Sequence, residues 1–114
     1  MDAHQLPPLP AAVWSPLGPI AVQQVAGLET EDGLRLYGRY NYETRTIDID
    51  TGPLLLMQWQ TLYHEWLHSV LHDHGFDLGP FEEPVIDTIA TALMAWWLAD
   101  QSPSSAPSTS RPDA

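Results

Sequence analysis

Residues 61–75, TLYHEWLHSVLHDHG, contain four histidines, a glutamate and an aspartate, all of which have side chains that can bind a metal ion. His64 and His68 are four residues apart, so on an α-helix both imidazoles project from one face and can hold the same ion. Glu65 projects beside them, within reach of a water molecule on that ion. Zinc catalysis uses three protein ligands and one position open to water. The string His-Glu-x-x-His therefore predicts a metal-hydrolase site that needs a third ligand.

The first candidate for the third ligand is Glu83, in the segment EEP at residues 82–84. If the chain turns after His68 and packs a second helix against the first, Glu83 can complete the site. Asp87, one helical turn later, can accept the free N–H of a ligand histidine. The simpler role of Glu83 is a carboxylate favoured by the helix dipole, a role that Glu82 would fill equally well.

The second candidate is His74, which has the spacing of the third histidine in a longer His-Glu-x-x-His-x-x-Gly-x-x-His pattern. Leu71 stands where that pattern has the glycine that lets the chain turn. His74 is therefore expected to point elsewhere. His72 continues the spacing of four, but a histidine near a helix end is more commonly explained by the helix dipole.

The elements that position these residues follow from periodicity. Alternating patterns predict three short antiparallel strands, with the first two joined around TEDG and with Asp48 and Asp50 facing solvent. The three strand segments are PIAVQQV, LRLYGRYNY and RTIDID.

Two helices are predicted after the strands. The first starts around TGP at residues 51–53 and ends at Gly75; its apolar spacing of three and four favours a core helix over an exposed polar one. The second starts at EEP. Its apolar stripe consists of Ile86, Ile89, Ala90, Leu93 and Trp97.

The segments IDID, HEWLH and EPVID together resemble the gluzincin branch of the zincin metallopeptidases, and more narrowly the minigluzincin and ImmA/IrrE-type proteins. The resemblance covers residues 45–97. It implies His64, His68 and Glu83 as zinc ligands, Glu65 as general base and Asp87 as partner of a ligand histidine. It also implies proteolysis as the activity.

One functional residue of larger gluzincins, the distant His or Tyr that stabilises the oxyanion, has no clear counterpart in this sequence. Four residues remain candidates for that role: Tyr40, Tyr42, His72 and His74.

Charge and composition limit the classes of molecule that this chain is expected to bind. The chain has fifteen acidic residues, four arginines and no lysine, which gives a formal net charge of -11. This charge argues against binding to nucleic acid or to an anionic membrane. The absence of cysteine means that His, Asp and Glu must hold any metal. A peptide or protein substrate is the expected partner.

The two ends differ from the middle. Residues 1–19 are rich in proline and predict either an extended arm, which Trp14 could pin to the surface, or a flexible leader. Residues 101–114 have the Ser/Pro composition of a disordered tail. The opening residues lack the features of a secretory signal, and the longest apolar run is too short to span a membrane. A soluble, cytoplasmic protein is expected.

The sequence therefore predicts an α+β fold, a minimal zincin-like domain over residues 20–100, with a short antiparallel sheet packed against two main helices. One zinc ion per chain and peptide hydrolysis are the expected cofactor and activity. The alternatives are a non-catalytic zinc-binding regulatory or interaction domain and a hydrolase of a non-peptide amide. Glu65 separates the first alternative from an enzyme, because a structural zinc site has no use for a base.

Overall fold

Four strands form one sheet in the computed structural model, which describes residues 6–101. Their bounds are β1 (Ala12–Ser15), β2 (Gly18–Val25), β3 (Gly38–Asn41) and β4 (Thr46–Asp50). The spatial order is β1-β2-β4-β3, which leaves β1 and β3 at the edges. β1 pairs with β2 and β3 with β4 in antiparallel orientation, whereas β2 and β4 run parallel. The α+β class is confirmed, but the prediction of an entirely antiparallel sheet is wrong, because the sheet is mixed.

The connection between β2 and β3 explains this difference. The predicted turn at TEDG exists, but it closes a local loop in which Glu29 bridges Arg35 and the Thr30 N–H donates to the Leu34 carbonyl at 2.8 Å. It does not join β2 to β3 as a hairpin. The chain instead crosses over to the far edge, and β4 returns between β2 and β3. The predicted strand over residues 34–42 shortens accordingly to Gly38–Asn41.

An edge strand lies inside the proline-rich N-terminal segment, where no strand was predicted. β1 is joined to β2 by a tight turn containing Pro16, and Pro19 lies near the start of β2, where a missing N–H is tolerated. Trp14 is 70% exposed, so its side chain does not hold the segment by burial. Its backbone carbonyl holds the strand down instead, by accepting a hydrogen bond from Trp66 Nε1 at 2.7 Å.

Asp50 is buried, although the alternation of RTIDID predicted a solvent-facing side chain. Its side chain is 1% exposed, and Oδ1 accepts the backbone N–H groups of Gly27 and Leu28 while Oδ2 pairs with Arg35 at 3.1 Å. The crossover segment covers this end of β4, which a period of two cannot reveal. The N–H of Leu28, with the Arg35 guanidinium, holds the pKa of Asp50 below its ordinary value despite burial. Asp48 lies on the outer face and pairs with Arg39 at 3.0 Å.

Two main helices are present, as predicted, and α1 covers one face of the sheet. α1 (Leu55–Asp73) begins just after Pro53 and ends before Gly75, whose φ of 76° is the left-handed conformation common after a helix. Leu62 joins the core that the sheet isoleucines form. The members of this core are Ile20, Ile47, Ile49 and Leu62.

α2 (Glu82–Gln101) follows a single 3₁₀ turn at Gly79–Phe81. Within residues 6–101 it packs on α1 and not on the sheet. Ile86, Ala90 and Met94 are its buried residues, whereas Ile89 of the predicted stripe is 42% exposed. α2 therefore presents its first turn to the middle of α1.

The chain ends lie partly outside this description. The predicted tail is described only as far as Gln101, and residues 1–5 and 102–114 are not described. Neither helix in the part of the chain that is described is both long enough and apolar enough to cross a bilayer.

Candidate metal centre

His64 and His68 form the α1 side of the site. One helical turn separates them, and their Nε2 atoms are 3.2 Å apart. Both side chains are about one-fifth exposed, so they lie in a shallow recess rather than on an open surface. The spacing of four residues predicted this pairing, and the helix is regular over the whole stretch.

Glu83 completes a three-residue cluster from the first turn of α2. Its Oε1 lies 2.9 Å from His64 Nε2, and its Oε2 lies 3.0 Å from His68 Nε2. Ligand atoms of these three residues lie within 4.8 Å of one another, as a single ion would require. The structure thus brings together the three residues that the sequence pattern selected, with Glu83 contributed across the interface between the two helices.

Two further carboxylates contact the opposite ring nitrogens of the histidines. Asp87 Oδ1 lies 2.9 Å from His64 Nδ1, and Glu82 Oε2 lies 2.7 Å from His68 Nδ1. An ionised carboxylate only accepts hydrogen bonds, so both contacts place a proton on Nδ1. In a neutral imidazole, Nε2 then carries a lone pair. Contacts of this kind orient metal-binding histidines and make them stronger donors.

Because both Nδ1 atoms carry the proton, several hydrogen-bond acceptors meet at one point between the two helices. With both imidazoles neutral, the two Nε2 lone pairs and the carboxylate of Glu83 face one another at 2.9–3.2 Å. Such an arrangement repels itself unless additional protons or a cation lie among these atoms. Two nitrogen donors and one carboxylate are a ligand set that suits zinc.

Glu65 belongs to the same recess but does not belong to the cluster. Burial raises the pKa of its carboxyl above the ordinary value, and the imidazoles of His64 and His68 oppose that rise. A carboxylate with a raised pKa is a better proton acceptor than a solvated one. Glu65 therefore has the environment expected of a general base.

A cavity of about 290 Å³ opens beside the cluster, between α1, α2 and the start of β3. Its walls include His64, Glu65 and Asp87. Tyr37, the residue just before β3, also lines it. A second apolar recess of about 280 Å³ lies between β1 and the aromatic face of α1, around Trp59 and Trp66. No histidine or carboxylate is among the residues that line this second recess in the described part of the chain.

Gly38 allows β3 to approach α1 closely at this cavity. A Cβ atom at this position would overlap Thr61 Cγ2, and it would lie 3.3 Å from Glu65 Cγ. Only a residue without a side chain fits there. Nothing in the sequence pattern marked this glycine as part of the site.

None of the four candidates for an oxyanion-stabilising residue is among the described residues that line the cavity. Tyr42 packs on His72 at 4.6 Å between ring centroids, and His74 lies beside Phe76 at 6.1 Å. The Tyr40 hydroxyl is buried, which raises its pKa, near Arg45 and Asp73. Asp73 is about 13.5 Å along α1 from His64, at 1.5 Å per residue. In the part of the chain described, Tyr37 is the tyrosine that lines the cavity.

Glu82 and Tyr37 are thus the site residues that sequence reasoning missed. Glu82 had been recognised only as a helix N-terminal acid, because the spacing could not decide which of two adjacent carboxylates faces which histidine. Tyr37 lies in the predicted strand segment LRLYGRYNY, whose alternation does not mark it as a site residue. Compared with models of protein families, with curated proteins and with solved structures, the chain shows no match.

Proposed function

We propose that this chain is a zinc-dependent metallopeptidase of the gluzincin type, with His64, His68 and Glu83 as zinc ligands. The observation that carries the proposal is the convergence of His64 Nε2, His68 Nε2 and the Glu83 carboxylate on one point at 2.9–3.2 Å. Glu82 and Asp87 support it, because their contacts direct both Nε2 lone pairs to that point.

Zinc bound there would lower the pKa of a water molecule and polarise a carbonyl group. Glu65 would take a proton from the attacking water and deliver it to the leaving amine. Its burial and raised pKa support this role. Asp87 and Glu82 keep the histidines in the tautomer that has Nε2 free, and their negative charge strengthens both nitrogens as donors.

The substrate in this proposal is an extended peptide that lies along β3. β3 is an edge strand, so its outer backbone groups can pair with another extended segment. Gly38 lines the cavity at the start of that edge, which would bring a paired peptide beside Glu65. Tyr37, at the same wall, would donate a hydrogen bond to the scissile carbonyl as negative charge develops on it.

The proposal can be tested with purified protein, by metal analysis and by mass spectrometry of a digested peptide library. We expect one zinc per chain and peptide hydrolysis. Glu65→Gln should keep the zinc while hydrolysis falls roughly 10²–10⁴-fold, the usual contribution of general acid–base catalysis. Glu31→Gln removes the same charge from an exposed residue outside the site, and it should have no effect.

Four results would contradict the proposal in different ways. A chain that neither contains nor binds zinc removes the metal centre. Zinc binding without hydrolysis of any peptide favours the regulatory or interaction domain, and hydrolysis of small amides alone favours a non-peptide substrate. Hydrolysis that survives Glu65→Gln removes Glu65 as the base. A cytoplasmic location remains a prediction that fractionation of the source cells would test.

A further inference from the structure

The cavity beside the metal cluster has the size of a subsite for one side chain. Its volume of about 290 Å³ lies at the lower end of the range typical of small-molecule pockets. Met57 and Ala90 give it an apolar wall, and Gln60, Thr61 and Asp87 give it a polar one. A residue that enters it therefore meets both an apolar surface along its stem and polar groups.

The polar groups of the cavity include free hydrogen-bond acceptors. Asp87 uses Oδ1 for His64 and has its second oxygen available. Gln60 donates from Nε2 to Thr91 Oγ1 at 3.3 Å, which leaves its carbonyl oxygen available. In the part of the chain that the structure describes, no arginine is among the lining residues. A group that only donates hydrogen bonds, such as ammonium or guanidinium, matches these oxygens.

The charge around the cavity favours the same kind of group. Four carboxylates lie in or beside the cluster, from Glu65, Glu82, Glu83 and Asp87, and they outnumber the two charges of a divalent ion. The arginines of the neighbouring strand region are already paired, Arg35 with Asp50 and Arg39 with Asp48, each within 3.1 Å. The chain as a whole carries a net charge of -11. The field in the cavity is therefore negative, even with the ion bound.

We propose that this cavity selects lysine or arginine at the substrate position next to the cleaved bond, so that the substrates are basic peptides. The long aliphatic stem of either residue lies along Met57 and Ala90. Its charged end reaches the acceptors of Gln60 and Asp87. An acidic residue is repelled, and an apolar one leaves those oxygens without partners. The inference rests on the proposed peptidase function and adds its substrate class.

The test is a set of peptides that share one scaffold and differ only at the residues flanking the cleaved bond. Lys, Arg, norleucine, Gln and Glu are compared by kcat/KM. We expect Lys or Arg to exceed norleucine by at least about tenfold, because only a basic side chain supplies donors to Gln60 and Asp87, and Glu to be cleaved least. Norleucine tests the charge, because it keeps the stem of lysine and loses the ammonium group.

Gln60 is the residue to change, because Asp87 contacts a proposed ligand. Gln60→Lys should abolish the preference for basic residues and raise the relative kcat/KM for Glu, whereas Gln60→Glu should strengthen the basic preference. Gln23→Lys serves as the matched control, since Gln23 is exposed on β2, on the sheet face opposite the core. It adds the same charge and should leave the preference unchanged.

The outcomes separate this inference from the proposed function. Hydrolysis with equal rates for Lys, norleucine and Glu, or with a preference for norleucine, overturns the inference and leaves the peptidase intact. An equal loss of preference in Gln23→Lys and Gln60→Lys would assign the selectivity to overall charge and also overturns it. If either Gln60 variant fails to fold, the other variant and the wild-type peptide series still decide. Absence of hydrolysis of every peptide refutes the proposed function and this inference together.

Discussion

Glu82 Oε2 lies 2.7 Å from Nδ1 of His68, the shortest contact between a histidine and a carboxylate in the described part of the site. A carboxylate that accepts the N–H of a metal-binding histidine typically raises metal affinity 10–100-fold. Glu82→Gln should therefore weaken zinc binding by roughly that factor without removing a ligand. Competition with a chromophoric chelator measures the affinity.

Glu43→Gln, in the exposed turn between β3 and β4, is the matched control for Glu82→Gln. An unchanged zinc affinity in Glu82→Gln would show that this contact does not orient His68.

The choice of third ligand predicts opposite behaviour for two variants. Glu83→Ala removes a carboxylate 2.9 Å and 3.0 Å from the two histidine Nε2 atoms, and it should abolish stoichiometric zinc binding. His74→Ala removes a side chain that contacts Phe76 outside the cluster and should leave zinc content unchanged. Elemental analysis of both proteins decides between them. The reverse pattern would refute the gluzincin assignment.

The close approach of β3 to α1 at Gly38 can be tested by a rescue experiment. Gly38→Ala would force β3 away from α1 at Thr61 and Glu65, and overpacking of this kind costs about 1–3 kcal/mol of folding stability. Hydrolysis should fall as well, because Glu65 lies at the displaced surface. Adding Thr61→Ala removes the Cγ2 atom in conflict and should restore part of both properties.

Thermal unfolding and kcat report the two effects of Gly38→Ala separately. Thr61→Ala alone is the control for the double variant. If Gly38→Ala is as stable and as active as the wild type, the close approach of β3 to α1 has no functional role.

The pairing of Arg45 with Asp73 predicts a dependence of stability on pH. The side chain of Asp73 is 0% exposed, and Arg45 contacts it at 3.0 Å and 3.1 Å. The hydrogen bond from Arg45 holds the pKa of Asp73 well below its usual range. A lowered pKa in the folded state means that the stabilisation is complete above the unfolded pKa of about 4 and is lost as pH falls below it.

Asp73→Asn should cost about 3 kcal/mol at pH 7, as breaking buried ion pairs typically does. Its free energy of unfolding should approach that of the wild type progressively as the pH falls from about 4 towards the lowered pKa of Asp73, because in this range the unfolded wild-type chain binds a proton that the folded protein does not. Urea unfolding over a series of pH values measures this. Asp32→Asn, in an exposed loop, is the control and should follow the wild type at every pH. A constant difference between Asp73→Asn and the wild type across the series would contradict this account.

Local periodicity was sufficient for the helical half of the fold and for most of the candidate metal cluster. A spacing of four residues determines that His64 and His68 share a face of α1, and Glu83 and Asp87 share a face of α2 by the same rule. Pro53 and Gly75 marked the region where α1 begins and ends, because their backbone preferences act within a few residues. These features depend only on neighbours in sequence.

Only the tertiary structure decided which distant segments meet. The parallel pairing of β2 with β4, the burial of Asp50 under residues 27 and 28, and the cavity contacts of Tyr37 and Gly38 all depend on the crossover between β2 and β3. Such contacts join residues far apart in sequence, and an alternating strand pattern is the same whichever neighbour the strand acquires. The role of Glu82 was undecided for the same reason, because the rotation of α2 against α1 determines which of two adjacent carboxylates reaches His68.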